Sequence, residues 1–193
     1  MSKAATKHRT QRIRSLGMAF LIMGLFLVGA AVIFYLTGAQ ENVLESAGVA
    51  LSPASVSYAA PQLALTDVQG NPTSLDEYRG KVVLLNNWAT WCPPCKAEMP
   101  ELQAYYTTHA RDGFVVIAIE SGEPANTVAN FVLQNGLSFP VWLDPHGAAL
   151  EALQNWDLPS SYVMDQEGIV RMSWTGSINR ATLEKYVTPL LEK

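Results

Sequence analysis

The sequence predicts an α/β domain, a central mixed β-sheet flanked by helices, behind a single N-terminal transmembrane helix. Three observations carry this reading. Residues 81–85 (KVVLL) and 114–119 (FVVIAI) are continuous β-branched and apolar runs, the pattern of strands buried on both faces of a sheet with parallel character. Between them Met99, Leu102, Tyr105 and Tyr106 recur at helical spacing, which makes a strand–helix–strand unit with a right-handed crossover. Residues 16–36 run for 21 positions without a charge or an amide. At about 1.5 Å per residue, a helix of that length spans the hydrocarbon core of a bilayer.

The elements follow in chain order. Residues 1–15 form a basic head with Lys3, Lys7, Arg9, Arg12 and Arg14 and no acidic residue. The positive-inside rule places it in the cytoplasm and the remainder of the chain on the extracytoplasmic side. A cleaved signal peptide is the competing reading. Its apolar region usually spans about 7–15 residues, shorter than this one, and Thr37–Gly38–Ala39 is only a fair cleavage site. Both readings export the body. Residues 37–60, rich in Ala, Ser, Gly and Val, are poor in large apolar side chains and read as a tether. The globular domain is then residues 61–193, long enough for one core.

Within that domain, Leu63 and Leu65 alternate ahead of a Gly70–Asn71 turn, the start of a short hairpin. A second helix is expected over 124–135, with Pro124 in its first turn, Val128, Phe131 and Val132 as its stripe, and Gly136 at its end. Residues 141–143 form a short strand candidate, and 147–155 a helical turn or two. Residues 161–164 and 169–174 flank Gln166–Glu167–Gly168 as an antiparallel hairpin. Asn179 caps a last helix with the stripe Leu183, Tyr186, Val187, Leu190 and Leu191, which Pro189 interrupts.

Charge and cysteine content narrow the function. From Pro61 onward there are eight Lys or Arg against fifteen Asp or Glu. Such an acidic body has no electrostatic basis for binding nucleic acid. The chain has two cysteines, Cys92 and Cys95, too few and too close for a disulfide-stapled scaffold. A structural zinc site needs four ligands and would require both His109 and His146 to converge on the sulfurs. The pair instead stands where a strand gives way to a helix. A helix N-terminus offers unpaired N–H groups and partial positive charge, which stabilise a thiolate. Cys92, at the tip, is expected to be the exposed nucleophile, and Cys95, one turn in, the shielded resolving thiol. Pro93 and Pro94 cost little there, because first-turn N–H groups lack helical partners anyway.

The run from Asn86 to Pro100, NNWATWCPPCKAEMP, resembles the active-site segment of the TlpA/ResA-like thiol–disulfide oxidoreductases of the thioredoxin superfamily. The likeness extends through 78–84 (YRGKVVL) and 158–165 (LPSSYVMD), and covers essentially all of 61–193. The resemblance implies a thioredoxin fold and dithiol–disulfide exchange with a protein substrate through the redox-active Cys92–Cys95 disulfide, with no other cofactor and no metal. It implies a cis peptide before Pro159, beside the disulfide, with Trp91, Pro93, Pro94 and Leu158 meeting the substrate. Glu98 becomes an active-site acid; the bland alternative is a solvated charge on an amphipathic helix. Asn86 stands where thioredoxins carry a buried aspartate. Asn87 departs from the family's apolar residue, and burying an unpaired amide costs on the order of 1–3 kcal/mol. Trp91 is expected to wall Cys92, Trp88 to pack in the core, and His109 and His146 to lie on the surface. The branch favours a reductant in an oxidising compartment, in cytochrome c maturation, supplied by a membrane electron donor. A thiol-dependent peroxidase and a Cu(I) metallochaperone, with His146 or Met99 as an added ligand, are the alternatives.

Overall fold

The computed structural model describes residues 23, 24, 27–33 and 52–192. The chain divides into two units, Met1–Ser46 and Ala47–Lys193. In the first, residues 23, 24 and 27–33 are helical. The head 1–15, and most of the span expected over 16–36, lie outside the described residues. Among the described residues no helix is long and apolar enough to cross a membrane.

The second unit is built on one eight-stranded mixed sheet: β1 (Ala54–Ala59), β2 (Ala64–Asp67), β3 (Pro72–Ser74), β4 (Val82–Trp88), β5 (Phe114–Glu120), β6 (Val141–Leu143), β7 (Ser160–Met164) and β8 (Ile169–Thr175). Their order across the sheet is β1-β8-β7-β4-β5-β6-β2-β3. β4, β5 and β6 are mutually parallel, while β7 joins β4, and β8 joins β7, antiparallel. The helices are α1 (Pro93–His109), α2 (Ala125–Gln134), α3 (Ala148–Ala152), α4 (Arg180–Tyr186) and α5 (Thr188–Leu191).

The two apolar runs are continuous because both faces of the central strands are covered. Val82, Leu84 and Trp88 of β4 join Phe114, Val116 and Ala118 of β5 in a core with Met99, Leu102 and Tyr105 of α1 and Val128 of α2. Their neighbours Val83, Leu85, Val115, Ile117 and Ile119 point the other way, onto Trp142, Tyr162, Met164 and Ala149. Each such fully buried aliphatic or aromatic side chain contributes about 1.5–3 kcal/mol relative to exposure. Trp88 is core, as expected, 5.0 Å from the Phe131 ring.

Local signals placed most elements. The β2–β3 hairpin turns through Gly70, whose φ of 85° favours glycine. Asp67 organises that turn by accepting from the N–H groups of Gln69 and Asn71. Asn179 caps α4 by accepting from Thr182 N–H at 2.9 Å. The predicted last helix divides into α4 and α5, with Pro189 in the first turn of the second piece.

One boundary needs correction. The tether expected over 37–60 contains a strand, β1, paired antiparallel with β8 from Ala54↔Ser173 to Ala59↔Ile169. Of its six residues only Val56 is not exposed. An edge strand held by backbone hydrogen bonds leaves no apolar stripe for a sequence pattern to register.

Candidate active site

β4 delivers the chain to the site. After Trp88 it leaves the sheet through Ala89, Thr90 and Trp91, and α1 begins at Pro93. Cys92 is the N-cap of α1, and its sulfur accepts from Cys95 N–H at 3.3 Å. Pro93 and Pro94 fill the first two helical positions, where the missing N–H of proline leaves no hydrogen bond unmade. Cys92 and Cys95 form a disulfide, with Cα atoms 5.3 Å apart. Cys95 is wholly buried, and Cys92 retains 3% exposure. Cys92, expected to be exposed, is thus buried in the oxidised form, because the segment before α1 and the residues of the apolar cluster close around both sulfurs.

The second wall comes from the loop before β7. Asn87 of β4 pairs with Ser160 of β7, so Pro159 lies beside the end of β4. The Leu158–Pro159 peptide is cis, and the Pro159 carbonyl accepts from Gly176 N–H at 2.8 Å. Leu158 packs against the apolar cluster that contains both cysteines. Trp91, expected as a wall beside Cys92, directly precedes it in the chain and is 64% exposed. Trp156, two residues before Leu158 and 67% exposed, adds a second uncovered indole at this loop that no sequence motif announced.

Glu98 lies one turn beyond Cys95 on the same face of α1 and is 1% exposed. Its two oxygens are separately engaged: Asn86 Nδ2 donates to Oε1 at 2.8 Å, and Ile178 N–H donates to Oε2 at 2.9 Å. Burial raises the carboxyl to about 8, against the lowering pull of those two hydrogen bonds. The solvated-charge alternative is therefore wrong: Glu98 is a buried acid, and among the described residues no Lys, Arg or His forms an ion pair with it. Asn86 also donates to Ser161 Oγ at 3.0 Å. Asn87, the departure from the family pattern, is half satisfied: its Nδ2 donates to Ser160 Oγ at 3.2 Å, while its buried Oδ1 has no hydrogen-bond partner among the described residues.

A further acidic pair stands behind the loop. Glu120 ends β5, in parallel register with Trp88, and is fully buried. Glu123 reaches Thr90 with both oxygens, accepting from its N–H and its hydroxyl at 2.6 Å each. Neither glutamate was singled out by the sequence, because only the β4–β5 register brings them to Thr90.

The histidines and Met99 are placed plainly. His146 is exposed, as expected. His109 is half-buried against the Tyr105 ring and faces Asp112 and Glu184, so its reading as a surface residue is corrected. Met99 lies in the core beneath α1. Among the described residues no group of three or more His, Cys, Asp or Glu side chains could hold a metal ion.

Comparison with known proteins matches this geometry. The AhpC/TSA family model covers residues 56–173, beginning inside β1. The thiol-disulfide oxidoreductase ResA of Geobacillus kaustophilus is 35% identical over 133 residues, 69% of this chain and 76% of the relative. ResA of Bacillus thuringiensis is 36% identical over 128 residues, 66% of this chain and 74% of the relative. Among solved structures, a thiol:disulfide interchange protein of the thioredoxin family from Chlorobium tepidum superposes with a TM-score of 0.65 at 28% identity, covering 72% of this chain and 99% of that one. The chain thus belongs to the AhpC/TSA family as a thioredoxin-fold, ResA-like thiol–disulfide oxidoreductase.

Proposed function

We propose that this oxidoreductase works as a reductant of protein disulfides, held at the extracytoplasmic membrane face by residues 16–36 and serving cytochrome c maturation. The observation that carries the chemistry is the placement of Cys92 as N-cap of α1, with Cys95 three residues inside. The helix N-terminus stabilises the Cys92 thiolate. That thiolate attacks one sulfur of a substrate disulfide, forming a mixed disulfide and releasing the other substrate sulfur as a thiolate. Cys95, as thiolate, then attacks Cys92 Sγ. The second substrate thiol leaves, the Cys92–Cys95 bond forms, and two electrons have passed to the substrate. A membrane dithiol donor returns the pair to its reduced form.

Glu98 serves the second step. With both oxygens accepting hydrogen bonds from Asn86 and Ile178, the carboxyl is fixed one turn from Cys95. Its raised pKa suits a group that takes a proton from Cys95 near neutral pH. Leu158, Pro159, Trp91, Pro93 and Pro94 frame the opening above Cys92 and receive the extended substrate.

The direction of electron flow is tested by the midpoint potential of the Cys92–Cys95 couple, measured by equilibration with glutathione or dithiothreitol redox buffers. A reductant is expected near the thioredoxin end of the scale, about −270 mV. A value close to the roughly −120 mV of a strong oxidant overturns the assignment. The anchor is tested by alkaline carbonate washing of membranes from cells expressing the full chain. The protein is expected to stay in the pellet, with its body open to protease added outside the cytoplasmic membrane. Release into the wash contradicts a spanning helix.

A further inference from the structure

We propose that Glu120 and Glu123 form a proton-sensitive clamp on the loop that carries Cys92: the Glu120 carboxyl holds the Glu123 backbone N–H, and the Glu123 carboxyl holds Thr90, two residues before the nucleophile. The proposal rests on the reading of Cys92 as the attacking sulfur and adds positioning residues that act on it through Thr90.

The geometry runs as a chain of hydrogen bonds from the sheet to the loop. Glu120 is the last residue of β5 and lies on the same face of the sheet as α1, following the alternation of Phe114, Val116 and Ala118. Both of its carboxyl oxygens accept from Glu123 N–H, at 3.0 and 3.2 Å. This fixes the backbone of Glu123 and sends its side chain toward the β4–α1 loop. There the carboxylate grips Thr90 at two points, N–H and Oγ1, each at 2.6 Å. Two short bonds from one residue to one carboxylate are charge-assisted and orient the acceptor and the donor together. The loop is otherwise held by few bonds: Cys92 N–H donates to the Ala89 carbonyl at 3.2 Å, and Ser121 N–H donates to the Trp88 carbonyl at 3.0 Å. Thr90 is therefore the point where the body of the domain takes hold of the segment leading into Cys92.

The pair is poised by its surroundings. The charged groups that face Glu120 are Glu123, from the loop before α2, and Asp144, just after β6. Asp144 is itself buried and accepts from Ala148 and Ala149 N–H at 2.8 Å. Among the described residues no Lys, Arg or His forms an ion pair with any of these three carboxyls. Burial raises Glu120 to about 7, with Glu123 N–H pulling it down and the carboxylates of Glu123 and Asp144 adding to the rise. Glu123 goes the other way: although burial opposes it, the hydrogen bonds from Thr90 and Glu120 hold it below the ordinary carboxylate range. The proton thus stays on Glu120 and the charge on Glu123. When pH rises through neutrality Glu120 ionises beside the part-buried Glu123 carboxylate, like charges meet, and the grip on Thr90 loosens.

The test follows the Thr90 amide proton by NMR in the full domain while the Glu120 carboxyl carbon is titrated. The amide is expected to lie far downfield at about pH 6 and to move upfield with the midpoint of Glu120, near neutrality. Glu120→Gln keeps an acceptor for Glu123 N–H and supplies a permanent donor to the Glu123 carboxylate, so the step at Thr90 is expected to vanish with the amide still downfield. Glu123→Gln is expected to leave Thr90 upfield at every pH. In the reduced protein, the rate of Cys92 alkylation by iodoacetamide, as a ratio of wild type to Glu120→Gln, is expected to change by roughly threefold between about pH 6 and 8.5. A Thr90 amide that stays flat across this range in the wild type overturns the proposal. So does a step that persists unchanged in Glu120→Gln. Neither NMR readout requires turnover, so a failure of the exchange mechanism itself, seen as activity surviving without Cys92, is distinguishable from a failure of the clamp.

Discussion

Cys92→Ser is expected to abolish disulfide reduction, lowering the rate by at least roughly 10³-fold, because a serine hydroxyl is not ionised near neutrality and forms no mixed disulfide. Cys95→Ser separates the two halves of the reaction. Cys92 remains at the helix N-cap and still attacks, but nothing resolves the adduct. A stable mixed disulfide accumulates with a cysteine peptide, visible as a mass increase that dithiothreitol removes. The expected order rests on position: Cys92 is the N-cap of α1 and Cys95 lies three residues inside, with both side chains buried, at 3% and 0% exposure. If Cys95→Ser loses activity without trapping substrate, while Cys92→Ser traps it, the order is reversed. Fold stability is expected to change little in either variant beyond local packing, since closing so short a loop removes little entropy from the unfolded chain.

Glu98→Gln is expected to change both stability and its dependence on pH. The folded carboxyl titrates at about 8 and its reference value is 4.5. Between those values the folded state binds more protons than the unfolded state, so stability falls as pH rises, by up to about 1.4 kcal/mol per pH unit. The contribution is whole below the unfolded value, erodes across the window, and is gone once pH passes the folded value. Glutamine carries no such slope. It cannot reproduce both hydrogen bonds either: Asn86 and Ile178 each donate, and one end of the glutamine amide is itself a donor. One buried N–H then faces another, at a cost of about 1–3 kcal/mol. Urea denaturation of the oxidised protein should therefore show the variant less stable than wild type near pH 5, with the gap closing or reversing near pH 8.5. In exchange assays the resolving step should slow by roughly 10²-fold, the scale of general-base assistance, while formation of the mixed disulfide changes less. A gap that is constant with pH, together with an unaltered resolving step, removes Glu98 from proton transfer and leaves it a packing residue.

Glu98 lies one turn from Cys95 and Glu120 behind the loop; the effects proposed for them separate because Glu98 hydrogen-bonds to Asn86 and Ile178, whereas Glu120 reaches Thr90 only through Glu123.

Much of this was legible in the residues. The runs at 81–85 and 114–119 announced strands covered on both sides, and β4 and β5 are the centre of the sheet. The WCPPC run at a strand–helix junction located the sulfur couple, and the family pattern around Leu158–Pro159 anticipated the cis peptide. Asn179 marked its own helix start. These features are local: hydrophobic period, turn chemistry and capping act within a few residues, so they survive in a one-dimensional reading.

Other features depended on which strand lies beside which. Ala54–Ala59 resembles a tether until β8 supplies its backbone partners. Glu98 and Asn86 are charge and amide on separate elements until the α1 face closes over β4 and desolvates both. The Asn87 amide has no evident acceptor for its Nδ2 until the β4–β7 register sets Ser160 against it. Glu123 reaches Thr90 across 33 residues of sequence, because β5 runs parallel to β4 and ends level with Trp88. The sequence by itself determined the chemistry of the sulfurs and the strands that carry them. Tertiary structure alone decided which acids are stripped of water and what they hold, because desolvation is a property of the packed whole and not of any segment.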